Sequence, residues 1–424
     1  MRSDRTRSEL PRLAFIYSGW NSEDPPLLLA EAAEGVASLL WVLPDARELP
    51  RAVLRMLRGL GDVVDVTGLR GEAAAEVIRQ HAPTGLVCCN DSYLVWAADV
   101  AHALGSRFFT PETAIRLTDK LAQRRALRDH GLPTPDFWDA DELVDDAVID
   151  SIAHRAGFPL VLKPRQGRSS QDIEALRSPD ELRAALPSIE PGRMLIEGFI
   201  PDPSGASQSA GSAPYVSVEV IASDGVISVL GVTGRPPLAP PFRETGCVFP
   251  ANLSQRARDD AIAAAVTATR ALGVETGPLH IEVKSTDTGP VVIEANGVTG
   301  GGAIRDLIQH GLGVDVLQLA MRLAVGEHIV FEEPPSPDEV GFFFEMQPNK
   351  DARRIVSVDG LDDVARIPGV ERVIPGLRAG DECSWRAGTT GFIAAVFGAA
   401  PDHAAANRVR EQFYDRMSVT TTNA

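Results

Sequence analysis

The sequence predicts a chain of mixed class, α/β in its first quarter and α+β beyond, on three observations. From residue 13 to about 110, short apolar runs alternate with helix-length amphipathic stretches, the pattern of a parallel doubly wound sheet. From residue 215 onward, pairs of strand-like runs meet at short turns, and helices fall between them, the pattern of antiparallel hairpins in an α+β arrangement. At 424 residues, 44% hydrophobic and 23% charged, the chain is an ordinary globular protein long enough for two or three cores.

In the first region the predicted strands are 13–17, 38–43, 62–66 and 85–89, and the predicted helices are 26–34, 72–81 and 93–104. Asn90, Asp91 and Ser92 stand at a strand's C-terminal end, where such sheets bind ligands, but they read equally well as a helix N-cap, and the cap is favoured. Residues 110–135 read as two helices closed by Gly131 and stopped by Pro133 and Pro135. Residues 158–164 form a short buried strand ending at Lys163-Pro164, and the small polar loop after it, 165–172, can close over phosphates. A strand at 193–200 precedes a Ser/Gly/Ala/Pro-rich stretch, 201–214, expected to be a mobile surface loop. A hairpin at 215–231 turns on Asp224-Gly225, and a helix at 255–272 follows. Residues 303–324 have helical spacing, with Gly311 and Gly313 expected to break the helix in two. The last segment carries a strand at 341–345, short strands around Val373 and Ile393, and a helix at 404–416.

Composition narrows the function. With 41 basic against 58 acidic residues, a net −17, nucleic acid or an anionic membrane is disfavoured as a partner, so any phosphate must be held by local groups. The charged N-terminus has no signal-peptide core and no run is long enough to span a membrane, so a cytoplasmic enzyme is expected. Cys88, Cys89, Cys247 and Cys383 lack metal-ligand spacing and read as small core residues. Arginine supplies nearly all the positive charge, and only Lys120, Lys163, Lys284 and Lys350 are lysines. Lysine is the compact point charge suited to phosphate.

The segment 279–296 says most. Its apolar positions alternate on either side of Asp287-Thr288-Gly289, so it reads as a hairpin. With the turn centred on Thr288, Glu282 falls opposite Glu294, their Cβ atoms roughly 5 Å apart. His280, Glu282 and Lys284 then share a face with Val292, Glu294 and Asn296, while Ile281, Val283, Val291, Ile293 and Ala295 are buried. Facing glutamates repel unless a cation lies between them, and two carboxylates with an amide oxygen suit Mg²⁺ on the phosphates of a nucleoside triphosphate. Charges on a hairpin's outer face are often merely solvated. The glycines that follow, Gly297, Gly300, Gly301 and Gly302, tip the balance, because they let backbone N–H groups approach an anion.

Taken in order, these pieces resemble the ATP-grasp superfamily, and within it the amino-acid ligases, or dipeptide synthetases, that join a carboxylate to an amine. The elements are Thr118-Asp119-Lys120 with Arg124 and 131–135, 159–164 with Lys163, 196–200, and His280, Glu282 and Lys284 with 293–296. The resemblance implies an N-terminal parallel α/β domain over 1–115, linker helices and a small lid domain over 116–200, a C-terminal antiparallel-sheet subdomain with the metal site over 201–330, and an α/β extension over 331–424. It implies that Lys120 and Lys163 reach the nucleotide phosphates. The loop with Ser169 and Ser170 then corresponds to the family's lid, though it is poorer in glycine. Glu197, Gly198, Phe199 and Ile200 correspond to the hinge whose backbone recognises adenine, with little weight on side-chain identity. Glu282, Glu294 and Asn296 correspond to the metal ligands.

Two departures stand out. Many relatives carry an arginine two residues beyond the metal-binding asparagine, where this chain has Val298, and Arg305 is the expected replacement, a fixed cation near the acyl phosphate; the alternative puts it on an exposed helix face. In the loop expected to bind substrate, Glu244 matches a glutamate that meets the amine, and Cys247 stands where a histidine is common. No nearby histidine or lysine would activate that thiol, so Cys247 is expected to shape the pocket, with Gly301 and Gly302 also lining it. The implied cofactors are ATP and two Mg²⁺ ions, Mn²⁺ being a substitute. The implied partners are a small carboxylate, such as an amino acid, and an amine, with a homodimer as the assembly. The implied reaction makes an amide through an acyl phosphate and releases ADP and phosphate. Rival readings are an ATP-grasp enzyme with another acceptor, such as a carboxylase or a phosphoribosylamine-type ligase, and a catalytically silent nucleotide-binding scaffold. No G-x-S-x-G, H-E-x-x-H or P-loop motif is present.

Overall fold

A computed structural model describes residues 10–19, 25–143, 146–204, 211–301, 303–331 and 337–423. Gly302 and residues 205–210 of the expected surface loop lie outside the described residues. The first sheet holds β1 (Arg12–Ile16), β2 (Ser38–Leu43), β3 (Asp62–Asp65) and β4 (Gly85–Cys88) in the order β3-β2-β1-β4. All its pairings are parallel, as expected. Leu13 to Ile16 are fully buried because helices cover both faces of such a sheet, which is why β1 reads as an unbroken apolar run. The helix Arg51–Leu60 was not expected, although Val53, Leu54, Leu57 and Leu60 stand at helical spacing between its arginines and pack on the core of the first sheet.

The second sheet comprises β5 (Phe137–Asp139), β6 (Leu160–Pro164), β7 (Glu174–Leu176) and β8 (Met194–Gly198), antiparallel in the order β5-β8-β6-β7. Ile149, Ile152 and Leu182, from two helices, pack on Leu160, Leu162 and Ile196. Lys163 is therefore carried on a rigid strand.

The third sheet crosses residue 330 without a break. It contains β9 (Tyr215–Ser223), β10 (Val226–Gly234), β11 (Gly246–Phe249), β12 (Gly277–Thr286), β13 (Gly289–Asn296) and β14 (Val340–Met346). β15 (Ala352–Asp359) and β18 (Ser418–Asn423) form a separate two-stranded ribbon, while β16 (Val370–Pro375) and β17 (Ala394–Ala400) complete the large sheet in the order β13-β12-β9-β10-β11-β14-β17-β16. β15 and β18 escaped the sequence reading because β15 buries only Ala352 and Ile355, which do not alternate, and β18 is mostly polar and buries none of its residues. On one face of the large sheet, Val216, Val218, Val220, Leu279, Ile281 and Val283 meet Ala261, Ala265 and Ala268 of the helix Gln255–Ala271. Alternation turns Tyr215, Ser217, Glu219, His280 and Glu282 to the other face. That face becomes apolar further along, where Cys247 and Phe249 meet Ile304 and Leu307.

The long helix breaks into Ile304–Leu312 and Val316–Ala324. The break lies at Gly313, whose φ of 67° is left-handed, whereas Gly311 stays helical. No helix among the described residues is long and apolar enough to cross a membrane. Cys88, Cys247 and Cys383 are buried, and none of the four cysteines forms a disulfide.

Candidate active site

Glu282 and Glu294 are direct partners in the β12–β13 ladder, and His280 pairs with Asn296. The register at the carboxylate pair is the expected one, but it is reached differently. The turn is one residue tighter, Thr286 pairing with Gly289, and a bulge beyond the Val283–Val292 pair takes up the difference at Ile293. Val292 is therefore turned into the core, 2% exposed, rather than onto the polar face as expected. Val291 lies opposite Lys284 instead, and Ile293 is only half-buried.

β13 is the edge of its sheet, and an open edge beside a ligand site needs its backbone groups satisfied. The helix Lys120–Asp129 satisfies them with side chains one turn apart. Gln123, 2% exposed, donates to the Ala295 carbonyl at 2.7 Å and accepts from the Ala295 N–H at 2.9 Å. Arg124 donates to the carbonyls of Val292 at 2.9 Å and Ile293 at 2.6 Å. Lys120 Nζ lies 2.9 Å from Glu294 Oε1 and donates to the Gly167 carbonyl at 2.9 Å. The Gln123 clamp was not foreseen; its signal is the spacing of Lys120, Gln123 and Arg124 at i, i+3 and i+4.

Arg124 also grips Glu197, from Nε to Oε1 at 2.8 Å and from Nη2 to Oε2 at 3.2 Å, and Lys163 Nζ reaches the same Oε2 at 2.9 Å. All three are at least 95% buried. Burial alone would raise the Glu197 pKa, but the two cations hold it at about 2. Burial pushes Lys163 below its ordinary value, with Glu197 opposing the shift. The expectation that side-chain identity matters little at 197 is thus corrected, because this carboxylate joins the two cations. Of the hinge backbone, Gly198 N–H donates to Asp136 O, Phe199 N–H to Pro159 O, and Ile200 O accepts from Lys284 Nζ at 2.7 Å. Lys284 also lies 4.8 Å from the Phe199 ring centroid and 2.8 Å from Asp202. It anchors the hinge.

His280 stands between two carboxylates, its Nδ1 2.9 Å from Glu219 Oε1 and its Nε2 3.7 Å from Glu282 Oε1. Burial disfavours the imidazolium, yet the flanking carboxylates raise the pKa to about 10, so the ring is charged at neutral pH. Glu219 was missed; its signal is a lone acid in the otherwise apolar and small run of β9. A Cβ on Gly300 would come to 3.0 Å from both Glu219 Oε2 and His280 Nδ1, so a larger residue there would crowd this pair. Asp91, just after the Asn90 cap on Ser92 N–H, has a buried Oδ1 with no hydrogen-bond partner. Burial, and then Glu294, raise its pKa to about 6.

In the loop expected to bind substrate, here called the acceptor end, Glu244 Oε1 accepts from Arg235 Nε at 2.7 Å and Tyr215 OH at 3.0 Å. Burial opposes ionisation of Glu244, but Arg235 and Tyr215 keep it below the usual carboxylate range. Burial raises the Cys247 thiol, consistent with a shaping residue and not a nucleophile. Burial and the Glu244 charge push Glu345 up to about 8. Val298 packs against the core shared by the first and third sheets, so an apolar contact fills the expected arginine's position. Arg305 is in the first turn of its helix with its side chain 16% accessible, not on an exposed face. Gly301 is exposed. Ser169 and Ser170 both have φ of 54° in the loop after β6.

No cluster of three or more His, Cys, Asp or Glu side chains able to cage a metal exists among the described residues. Glu282, Glu294 and Asn296 are a different donor set, two carboxylates and an amide on paired strands, and their all-oxygen chemistry fits Mg²⁺.

No family model matches the chain. An uncharacterized protein, y4rH, of Sinorhizobium fredii is 29% identical over 314 residues, 70% of this chain and 60% of that one. Carnosine synthase 1 of Homo sapiens is 25% identical over 56% of this chain and 30% of its own length. The ATP-grasp enzyme fsqD of Aspergillus fumigatus is 23% identical over 47% and 34%. The chain thus spans 60% or less of these curated relatives. Solved structures align more completely. An L-amino acid ligase from Bacillus licheniformis superposes with a TM-score of 0.74 at 22% identity, over 97% of this chain and 99% of that one. A carboxyaminoimidazole ribonucleotide synthase from Aspergillus clavatus, complexed with ATP, gives 0.70 at 14% identity, over 96% and 98%. Superposition over nearly whole chains, with the parallel sheet, the small antiparallel sheet and the large antiparallel sheet in this order, shows that the chain shares the fold of these enzymes, the fold expected from its ATP-grasp resemblance.

Proposed function

We propose that the protein is an ATP-dependent carboxylate–amine ligase, with an amino acid or related small acid as the carboxylate donor. The observation that carries this reading is the Glu282–Glu294 pair with Lys120 on one of its carboxylates and Lys163 held close by through Glu197. Lys120 and Lys163 receive the triphosphate, and Lys120 exchanges Glu294 for a phosphate oxygen, which frees Glu294 as a metal ligand. Mg²⁺ held by Glu282, Glu294 and Asn296 would neutralise charge on the β- and γ-phosphates. The substrate carboxylate oxygen attacks the γ-phosphorus and ADP leaves. The amine nitrogen then attacks the acyl carbon, the C–O bond to phosphate breaks, and the amide remains. Activation is required because a carboxylate is a poor electrophile, and the protein contributes positioning and fixed charge. Glu244 takes the substrate ammonium, Arg305 faces the developing oxyanion, and a homodimer in the cytoplasm is the expected state.

The L-amino acid ligase superposition supports this branch over carboxylation. The test mixes the purified protein with ATP, Mg²⁺ and pairs of amino acids. Substrate-dependent ADP release with a condensed product is expected, and no turnover across a broad panel sinks the reading. Glu294→Gln should lower that rate by about 10²- to 10³-fold with folding intact, which a silent scaffold would not show.

A further inference from the structure

The segment Trp385–Thr390, a kinked pair of 3₁₀ turns between β16 and β17, carries no role in the reading above. Yet one of its residues touches both loops that the proposed reaction needs. Thr389 N–H donates to the Ser169 carbonyl at 2.8 Å, on the loop that follows Lys163. Its hydroxyl accepts from the Glu244 N–H at 3.1 Å, on the acceptor loop. Its carbonyl accepts from Gln347 Nε2 at 3.0 Å, and the same Nε2 donates to the Glu244 carbonyl at 3.0 Å. All three polar groups of Thr389 are used.

The neighbouring residue makes this approach possible. Gly388 has φ of 64°, and a Cβ there would lie 2.0 Å from the Ser169 carbonyl oxygen and 2.8 Å from Gln171 N, so no other residue fits without moving the loop. Within that loop Ser169, Ser170 and Asp172 have φ of 54°, 54° and 53°. Consecutive non-glycine residues in the left-handed region persist only where the surroundings hold them. Besides Thr389, Arg386 contributes, 3.4 Å from Asp172.

We infer that Thr389 is a positioning residue that ties the phosphate-side loop to the acceptor-side loop. It makes phosphoryl transfer and amine capture depend on a single strap. The inference rests on the ligase reading and goes beyond it, because it says why ATP would not be spent without an acceptor. A carboxyl phosphate formed while Glu244 is out of place meets water instead of an amine; water then breaks the same C–O or P–O bond, and the products are ADP, phosphate and the unchanged acid.

The experiment measures ADP and amide in one reaction for the wild type, Thr389→Val, Thr389→Ser and Gly388→Ala. Thr389→Val keeps the shape and loses the acceptor oxygen; it should cut amide formation by about tenfold, leave KM for ATP within about twofold, and raise ADP released per amide. Thr389→Ser should restore the wild-type ratio. Gly388→Ala, which crowds the Ser169–Gln171 backbone, should raise the ratio as well. A brace with no part in coupling would lower kcat and stability while leaving ADP per amide unchanged, and that result overturns the inference. Hydrogen exchange reads the tie without any turnover: Thr389→Val should speed exchange at both 167–172 and 242–247, and wild-type exchange at either loop also overturns it. Absence of amide from the wild type with every pair would fault the ligase reading alone, and the exchange result would still decide the tie.

Discussion

The two ends of the polar face are built on opposite principles. At the β13 edge the buried cations find partners inside the protein, Asp91 Oδ1 beside Glu294 being the exception left without one: Arg124 divides its donors among Glu197 and two carbonyls, Lys163 takes the remaining reach of Glu197, and Lys120 takes Glu294. At the acceptor end Thr233 Oγ1 and Gln347 Oε1 are buried with no hydrogen-bond partner, and Glu345 is pushed toward its neutral form. A network satisfied internally is set by folding and needs no ligand to complete it, whereas orphaned polar atoms are completed only by what binds. Under the proposed ligase reading, the contrast makes the β13 edge a largely preorganised side for nucleotide and the other end the place where substrate identity is set.

Removing a partner should therefore be far worse at the first end. Glu197→Gln leaves Arg124 and Lys163 buried without a countercharge, and breaking such a pair typically costs about 3–5 kcal/mol. Urea unfolding should show that loss. The same change at Glu345, buried and held toward its neutral form, should raise stability at pH 7, because Gln removes the cost of keeping that carboxyl protonated. Equal losses at both positions would erase the contrast.

Acid titration separates the ends next. The Glu197 pKa drops from an ordinary 4.5 to about 2 in the folded protein, so its contribution is complete above about pH 4.5 and disappears as pH falls toward 2. By linkage this is on the order of 3 kcal/mol. Glu345 has the opposite sign. Its folded pKa is raised from 4.5 to about 8, so the folded state keeps a proton that the unfolded chain has released, and stability declines as pH rises across that interval. Glu345→Gln should remove the decline and leave the acid limb intact; a variant that flattens the acid limb instead would reverse the assignment.

The sequence made one end more legible than the other, for physical reasons. Alternation and a turn signal were enough to set Glu282 against Glu294, since strand register depends on local pattern. They could not give the bulge at Ile293, because both registers bury an apolar set. Arg124 and Glu197 are 73 residues apart, and a contact at that range leaves no trace in periodicity, so the Glu197 hub went unread. Glu219 was visible as an acid in an apolar strand, but its meaning needed His280, which pairs with it across β9 and β12. The Thr389 strap had no strand or helix signal at all; its function as a bridge appears only when Ser169 and Glu244 are brought to its two sides.

The smallest change probes the open end most sensitively. Thr233 is fully buried on β10 opposite Ser217, two residues before Arg235, and its hydroxyl has no partner. Thr233→Val keeps the branched shape, and exchanging an unsatisfied buried hydroxyl for a methyl should be neutral or stabilising by up to about 1 kcal/mol. Thermal or urea unfolding measures that directly. If the hydroxyl is reserved for a ligand, the same variant should raise KM for the amino-acid substrate several-fold, on the scale of one hydrogen bond, while KM for ATP stays at its wild-type value. A stability loss well beyond 1 kcal/mol would mean that Thr233 has its partner within the fold, and that the acceptor end is as closed as the β13 edge.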